Sequence, residues 1–246
     1  MAQYKKVRGV KVAAASLAMV VVGSGAALAA TIPGTNAGEV LRGTDRADTI
    51  HGSGGADLIY GKGGRDTVWG GNEAGWGDKV LGGTTADRLV GQQGHDALYG
   101  EGGNDGLEGQ YGDDLLVGGP GEDTLNPGPG VDEVNAQDGR RDVIDLTGSE
   151  QGDVVYYDKG IDEFVTSSMK PVDEDSGSGA AEAARATGAE LSAAKPPRGL
   201  FEPHGEVLVE HEGEKLLVAE ERVEAHVAHG DDIVDPTGRA GAERGR

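Results

Sequence analysis

The chain has 246 residues, a formal net charge of −21, 45 glycines, 4% aromatic residues and no cysteine. So acidic a surface repels nucleic acid and anionic membranes and attracts divalent cations. With few large apolar side chains and no possible disulfide, something else has to staple the fold.

Residues 1–29 read as a secretory signal. Four basic groups (Lys5, Lys6, Arg8, Lys11) precede an apolar run from Val12 to Leu28, which ends in the small-residue site Ala27-Leu28-Ala29. Gly23, Ser24 and Gly25 interrupt that run, which favours cleavage over a membrane anchor. No second apolar run is long enough to span a bilayer. Beyond residue 29 the chain holds 18 basic against 43 acidic side chains, a net −25. Residues 30–40 are expected to be a short N-terminal lead.

From 41 to 165 an aspartate returns every nine residues. Asp48, Asp57 and Asp66 form one series; Asp78, Asp87, Asp96, Asp105, Asp114, Asp123 and Asp132 form a second, twelve residues on. Asp142, Asp153 and Asp162 come after them at looser spacing. Two residues after each aspartate stands an apolar side chain: Ile50, Ile59, Val68, Val80, Leu89, Leu98, Leu107, Leu116, Leu125, Val134, Ile144, Val155 and Phe164. Glycine-rich turns precede them, as in GSGGAD (52–57) and GEGGND (100–105).

A short fixed period is the mark of a solenoid. Six glycine-rich residues supply the turn and the next three, with one apolar side chain at the centre, make a minimal strand. With consecutive strands in two facing sheets, two units make a coil of 18 residues and like units stack in parallel. The expected class is all-β: a parallel β-roll with its apolar residues meeting inside. Aspartates 18 apart then lie about 4.8 Å apart on neighbouring coils. Calcium takes six to eight oxygens at about 2.3–2.6 Å, so one ion fits between two stacked loops with glycine-region carbonyls completing its shell. Without it, each stacked pair repels by about 3–4 kcal/mol at an effective dielectric of 20. Many such pairs exceed a domain's margin of about 5–15 kcal/mol, so metal binding and folding become one equilibrium.

These units resemble the nonapeptide GGxGxDxUx of the RTX (haemolysin-type) calcium-binding repeats, most closely over Gly91 to Val134. The resemblance implies calcium between successive turns, held by the aspartates from Asp48 to Asp132 and by backbone carbonyls at Gly52, Gly61, Gly91, Gly100, Gly109 and Gly118. Asp142, Asp153 and Asp162 resemble the degenerate closing units of small secreted bacterial members and are expected to bind more weakly. Arg46, Trp76, Thr85, Arg140 and Gln151 replace the glycine two before Asp48, Asp78, Asp87, Asp142 and Asp153, which puts those loops apart.

The twelve-residue step, WGGNEAGWGDKV (69–80), adds three residues to one turn and holds both tryptophans. Trp76 is expected to fold over the roll edge; an aromatic platform for a glycan or partner is the sharper alternative. The strand flanks are uneven. One sheet presents Leu58, Tyr60, Lys79, Leu81, Ala97, Tyr99, Leu115 and Val117 outward, a mostly apolar stripe, and the other does not. Such a stripe is expected to be covered by the C-terminal segment or by a second molecule.

Residues 166–200 read as a flexible acidic and alanine-rich linker, with a short helix conceivable over 180–194. In 201–246, a small α/β or hairpin segment of unassigned role, EVLVEH (206–211) reads as a strand. Residues 214–229 read either as a helix with Leu216, Ala219, Val223 and Val227 on one stripe or as the return arm of a hairpin turning at Glu212-Gly213. His204, His211, His226 and His229 provide no placed third metal ligand, and HEGEK (211–215) lacks the second histidine of H-E-x-x-H. No G-x-S-x-G is present, and 30–40 leave no room for an enzyme ahead of the array. The expectation is a secreted, non-catalytic calcium-binding protein. The alternative is a cell-surface or matrix adhesin whose roll is a scaffold for a cell-envelope protein or a glycan.

Overall fold

A computed structural model describes residues 29–149, 151–166, 187, 189–193, 206–211, 214–228 and 231–237. Parallel strands wind into a β-solenoid, and each strand pairs with the one a full winding later. On one face run β1 (Thr31–Pro33), β3 (Thr49–Ser53), the first part of β5 (Thr67–Gly83), the first part of β6 (Arg88–Glu101), β7 (Gly106–Tyr111), β9 (Thr124–Asn126), β11 (Val143–Asp145) and β13 (Glu163–Val165). On the other run β2 (Val40–Arg42), β4 (Leu58–Lys62), the later parts of β5 and β6, β8 (Leu115–Val117), β10 (Glu133–Asn135), β12 (Val154–Tyr156) and β14 (Glu190–Ser192). The register is the one the nine-residue period demands: Ile50 pairs with Ile32 and Val68, and Leu98 with Val80 and Leu116.

Alternation along each three-residue strand turns its middle side chain inward. The twelve inward residues from Ile50 to Val155 have no solvent exposure, and Phe164 closes the column at 5%. These residues make up most of the roll's apolar interior, joined by Ala136 and Leu146 from the turns.

The roll exceeds its expected limits at both ends. Residues 30–40 are not a lead. They form the first winding, with Ile32 and Leu41 extending the core column, while Ala30 and Glu39 stand where later windings have aspartate. At the far end Glu190–Ser192, inside the stretch whose composition reads as linker, pairs with β12 and packs Ala189 and Leu191 on the core. Parallel pairing runs through the backbone and does not require the aspartate, so neither winding shows in the period. Residues 167–186 lie outside the described residues.

The C-terminal segment makes a second, antiparallel sheet ordered β16 (Glu214–Ala219), β15 (Glu206–His211), β17 (Asp232–Asp235). β15 and β16 pair antiparallel, as the hairpin reading expects, with the expected turn at 212–213 outside the described residues; helix begins only after a 3-10 turn (Glu220–Arg222), as α1 (Val223–Ala228). Val207, Val209, Val223 and Ile233 pack against Ala56, Leu58, Leu81, Ala97, Tyr99 and Leu115, so this module covers the apolar outer stripe of the roll. At the same junction Lys79 is 2% exposed and its Nζ lies 2.7 Å from Glu220 Oε2. The Tyr60 hydroxyl donates to Glu220 Oε1 at 2.5 Å.

Candidate metal centres

Each aspartate of the array is buried at the mouth of its strand, between two windings. One carboxylate oxygen, Oδ1, accepts the backbone N–H of the residue one winding earlier. Asp57 N–H donates to Asp78, Asp78 to Asp96, Asp96 to Asp114 and Asp114 to Asp132, at 2.6–2.8 Å. The companion ladder runs Asp48 to Asp66, Asp87, Asp105, Asp123, Asp142 and Asp162 at 2.7–3.0 Å. Asp132 N–H extends the first ladder to Asp153 at 3.0 Å, and Ala30 and Glu39 N–H begin the two series. This fastening of winding to winding is a role that spacing alone does not reveal.

The other oxygen separates interior from ends. Oδ2 of Asp57, Asp66, Asp78, Asp87, Asp96, Asp105, Asp123 and Asp142 is inaccessible and has no hydrogen-bond partner. A buried anionic oxygen without a donor is costly, and in native proteins it calls for an ion or a proton. At the ends the loop itself supplies donors. Asp48 Oδ2 accepts Thr44 N–H at 2.6 Å and Thr44 hydroxyl at 2.9 Å, Glu39 Oε2 accepts Thr35 N–H at 2.6 Å, and Asp162 Oδ2 accepts Asp158 N–H at 2.6 Å. Asp48, expected among the ligands, therefore has both oxygens engaged, and so does Asp162. Asp142, expected to be weak, keeps the interior arrangement despite Arg140 two residues before it.

The orphaned oxygens face glycines. A Cβ on Gly52 would lie 2.5 Å from Asp57 Oδ2, on Gly61 2.6 Å from Asp66 Oδ2, and on Gly100 2.5 Å from Asp105 Oδ2. The same spaces are bounded by carbonyls of the next winding: Gly70 beside Gly52, Gly82 beside Gly61, Gly118 beside Gly100. Further along, Gly91 O, Gly109 O and Pro127 O occupy the matching places beside Gly70, Gly91 and Gly109, and Gly100 O the one beside Gly82. Gly52 O and Gly61 O sit one winding nearer the start, against Gly34 and Gly43. From Asp57 to Asp105, each cradle thus brings together a carboxylate oxygen and a carbonyl oxygen around a volume that any side chain would fill. That donor set fits a hard cation such as Ca²⁺.

The electrostatics agree. Burial, the largest cause, pushes the carboxyls up: Asp57 to about 9, Asp142 to about 8, Asp66, Asp96 and Asp105 to about 7, and Asp87 and Asp123 to about 6. Asp78 is raised by burial and then by the charges of Asp96 and Asp57. The backbone N–H bonds lower these values and do not offset the desolvation.

The C-terminal histidines gain no third metal ligand among the described residues. His226 Nδ1 lies 2.7 Å from Asp231 Oδ2, and His204 and His229 are outside the described residues.

A parallel β-solenoid whose turns present buried carboxylates to one another is a metal-binding roll in its architecture. Comparison with known protein families matches the RTX calcium-binding nonapeptide repeat, in four copies, to residues 33–74, 81–110 and 107–134. Over these residues the array is similar to RTX calcium-binding repeats, and the match begins inside the first winding, before the first aspartate. No curated protein matches the chain.

Proposed function

We propose that the protein is a secreted, non-catalytic calcium-binding protein whose roll folds as the ions bind. The observation that carries this reading is the series of buried Oδ2 atoms without donors, those of Asp57, Asp66, Asp78, Asp87, Asp96 and Asp105 each beside a carbonyl of the next winding. On this reading Asp57, Asp66, Asp78, Asp87, Asp96, Asp105, Asp114, Asp123, Asp132 and Asp142 supply carboxylates. Gly70, Gly82, Gly91, Gly100, Gly109, Gly118 and Pro127 supply carbonyls. Asp48 and Asp162 fasten the two ends. Residues 1–29 serve as the export signal and deliver the chain to the calcium-rich exterior, where the folding equilibrium turns over.

A calcium titration of the chain lacking 1–29, followed by circular dichroism and calorimetry, tests this. The expected result is a cooperative gain of β signal, with magnesium a poor substitute. An equally ordered protein after exhaustive EDTA dialysis, with no ion found by elemental analysis, overturns it.

An adhesive role draws on one observation. On the face away from the C-terminal module, Trp69 stacks on His51 with ring centroids 4.5 Å apart and planes at 4°, and stays partly exposed. Retention on cell envelope that disappears with a chelator and with Trp69→Ala would establish it.

A further inference from the structure

The insertion that breaks the nine-residue beat places a carboxylate where the repeat has none. Glu73, within β5, carries its carboxylate into the space between two windings. A Cβ on Gly71 would meet Glu73 Oε1 and Ser53 O, both at 2.6 Å. Across the same space a Cβ on Gly94 would lie 3.2 Å from Glu73 Oε2 and 3.5 Å from Asp96 Oδ1. One oxygen from each of Glu73, Asp78 and Asp96 falls within a common 4.8 Å.

Three acidic groups in proximity do not by themselves make a site, since such clusters also stand in water. This one does not. Asp78 and Asp96 are fully buried. The Asp96 oxygen on the Glu73 side is Oδ1, which also accepts Asp78 N–H, while the partnerless Oδ2 atoms of both aspartates face the Gly70 and Gly91 cradles of the regular turns. Both carboxylate oxygens of Glu73 are inaccessible and without a partner as well, although part of the residue reaches the surface. Burial, and next the charge of Asp96, push the Glu73 carboxyl up to about 8. The three side chains offer only carboxylate oxygens, and Ser53 O, beside Gly71 with Glu73 Oε1, adds a neutral one.

An open depression of about 460 Å³ adjoins the site, lined by Glu73, Gln93, Gly94, His95, Tyr111 and Gly112.

We propose that the insertion creates a distinct three-carboxylate cation site, Glu73–Asp78–Asp96, which takes calcium ahead of the regular turns and trivalent lanthanides more strongly still. It rests on the calcium-binding function proposed for the roll and adds one local claim: the site filled first lies at the irregular turn. Charge decides the order. A third anionic ligand raises the attraction for a hard cation, and in calcium sites ligand charge count is a main determinant of affinity. Filled first, the site would fix β5 against β6 and give both halves of the array a formed winding to stack on.

Terbium(III) and calcium titrations of the chain lacking 1–29 test it. Trp76 is three residues from Glu73, at most about 11 Å along the chain, so the first bound terbium should emit under tryptophan excitation. Glu73→Gln should weaken that first equivalent at least tenfold in terbium or calcium, while the β signal at saturating calcium is retained. Asp105→Asn, at a regular turn, should leave the first equivalent within twofold. A Glu73→Gln chain that matches the wild type in its first equivalent overturns the proposal and leaves the calcium reading intact. So does a wild-type first equivalent with no tryptophan-sensitised emission, a measurement that needs no variant to fold. A wild-type chain that binds neither ion overturns both.

Discussion

The roll and the C-terminal module are stabilised in opposite ways. The module presents an ordinary apolar side, Val207, Val209, Val223 and Ile233, and buries it against a partner surface. Nothing in that contact depends on a solute. The roll stacks one aliphatic side chain per half-winding beside one buried carboxylate per half-winding, so each coil adds a favourable apolar contact together with an unfavourable desolvated charge. Among the described residues, the module's buried apolar side chains form one cluster with the outer stripe of the roll, so the module leans on the roll. The roll, on the function proposed above, leans on its ions.

The largest expected effect breaks both at once. Removal of calcium with EDTA should abolish amide-exchange protection in the strands of the roll and in β15 and β17 together, because the module loses the surface it covers. Protection that survives in the module alone would show it to be an independent domain.

Next in size is a pair of substitutions that isolates the ligand role. Asparagine in place of Asp105 and Asp123 keeps an Oδ1 acceptor for the N–H groups of Asp87 and Asp105 and removes the charge at Oδ2. The calcium midpoint for folding should rise tenfold or more. The same change at Asp173 and Asp175, outside the described residues, should move it less than twofold. Equal shifts would mean that overall acidity governs the response.

Acidity then separates ion-free from ion-bound roll. Burial raises the folded-state carboxyls above the unfolded value near 4, to between about 6 and about 9. The ion-free roll is thus favoured by protons: its stability is fullest below about pH 4 and is lost as pH rises through 6 to 9. Calcium needs the deprotonated carboxylates, so its affinity should rise over the same interval. Circular dichroism in EDTA and in calcium should give pH profiles of opposite slope.

A smaller effect falls on the junction. Lys79 and Glu220 are both buried, and removing Lys79 takes away the cation 2.7 Å from Glu220 Oε2 and leaves the Tyr60 hydroxyl at Oε1, at a cost of up to about 3–5 kcal/mol. Lys79→Ala should release the module, seen as lost protection in β15 and β17, with the calcium midpoint of the roll unmoved. Smallest is a gain. Gln92 holds a left-handed backbone at φ 87°, a conformation that costs a non-glycine residue about 1–2 kcal/mol. Gln92→Gly should raise the melting temperature in calcium by a few degrees at most, since glycine gives back part of the difference as unfolded-chain entropy.

The nine-residue beat made the inward column and the placement of the aspartates legible, because strand alternation allows each three-residue strand only one inward position. The apolar outer stripe was legible for the same reason. The first winding was not, since Ala30 and Glu39 interrupt the aspartate pattern while their backbones pair as well as any other. Glu190–Ser192 was hidden likewise, beneath a composition that reads as linker. Spacing could not show that each aspartate divides its two oxygens between a backbone N–H and an open cradle. Glu73 was read as part of a longer loop because its reach toward Asp96 depends on how three extra residues bulge between windings. The cue was there to find: an unrepeated acid in the one irregular turn.

Among the described residues, the C-terminal module touches the outer stripe from Ala56 to Leu115 and makes no such contact with the later coils, β9 to β13. Its strands lie across several coils, so it works as a splint along the solenoid axis. Under tension applied at the two ends of the array, the unsplinted coils from residue 124 onward should peel away one after another at low force. The splinted half should yield later, in a single larger step.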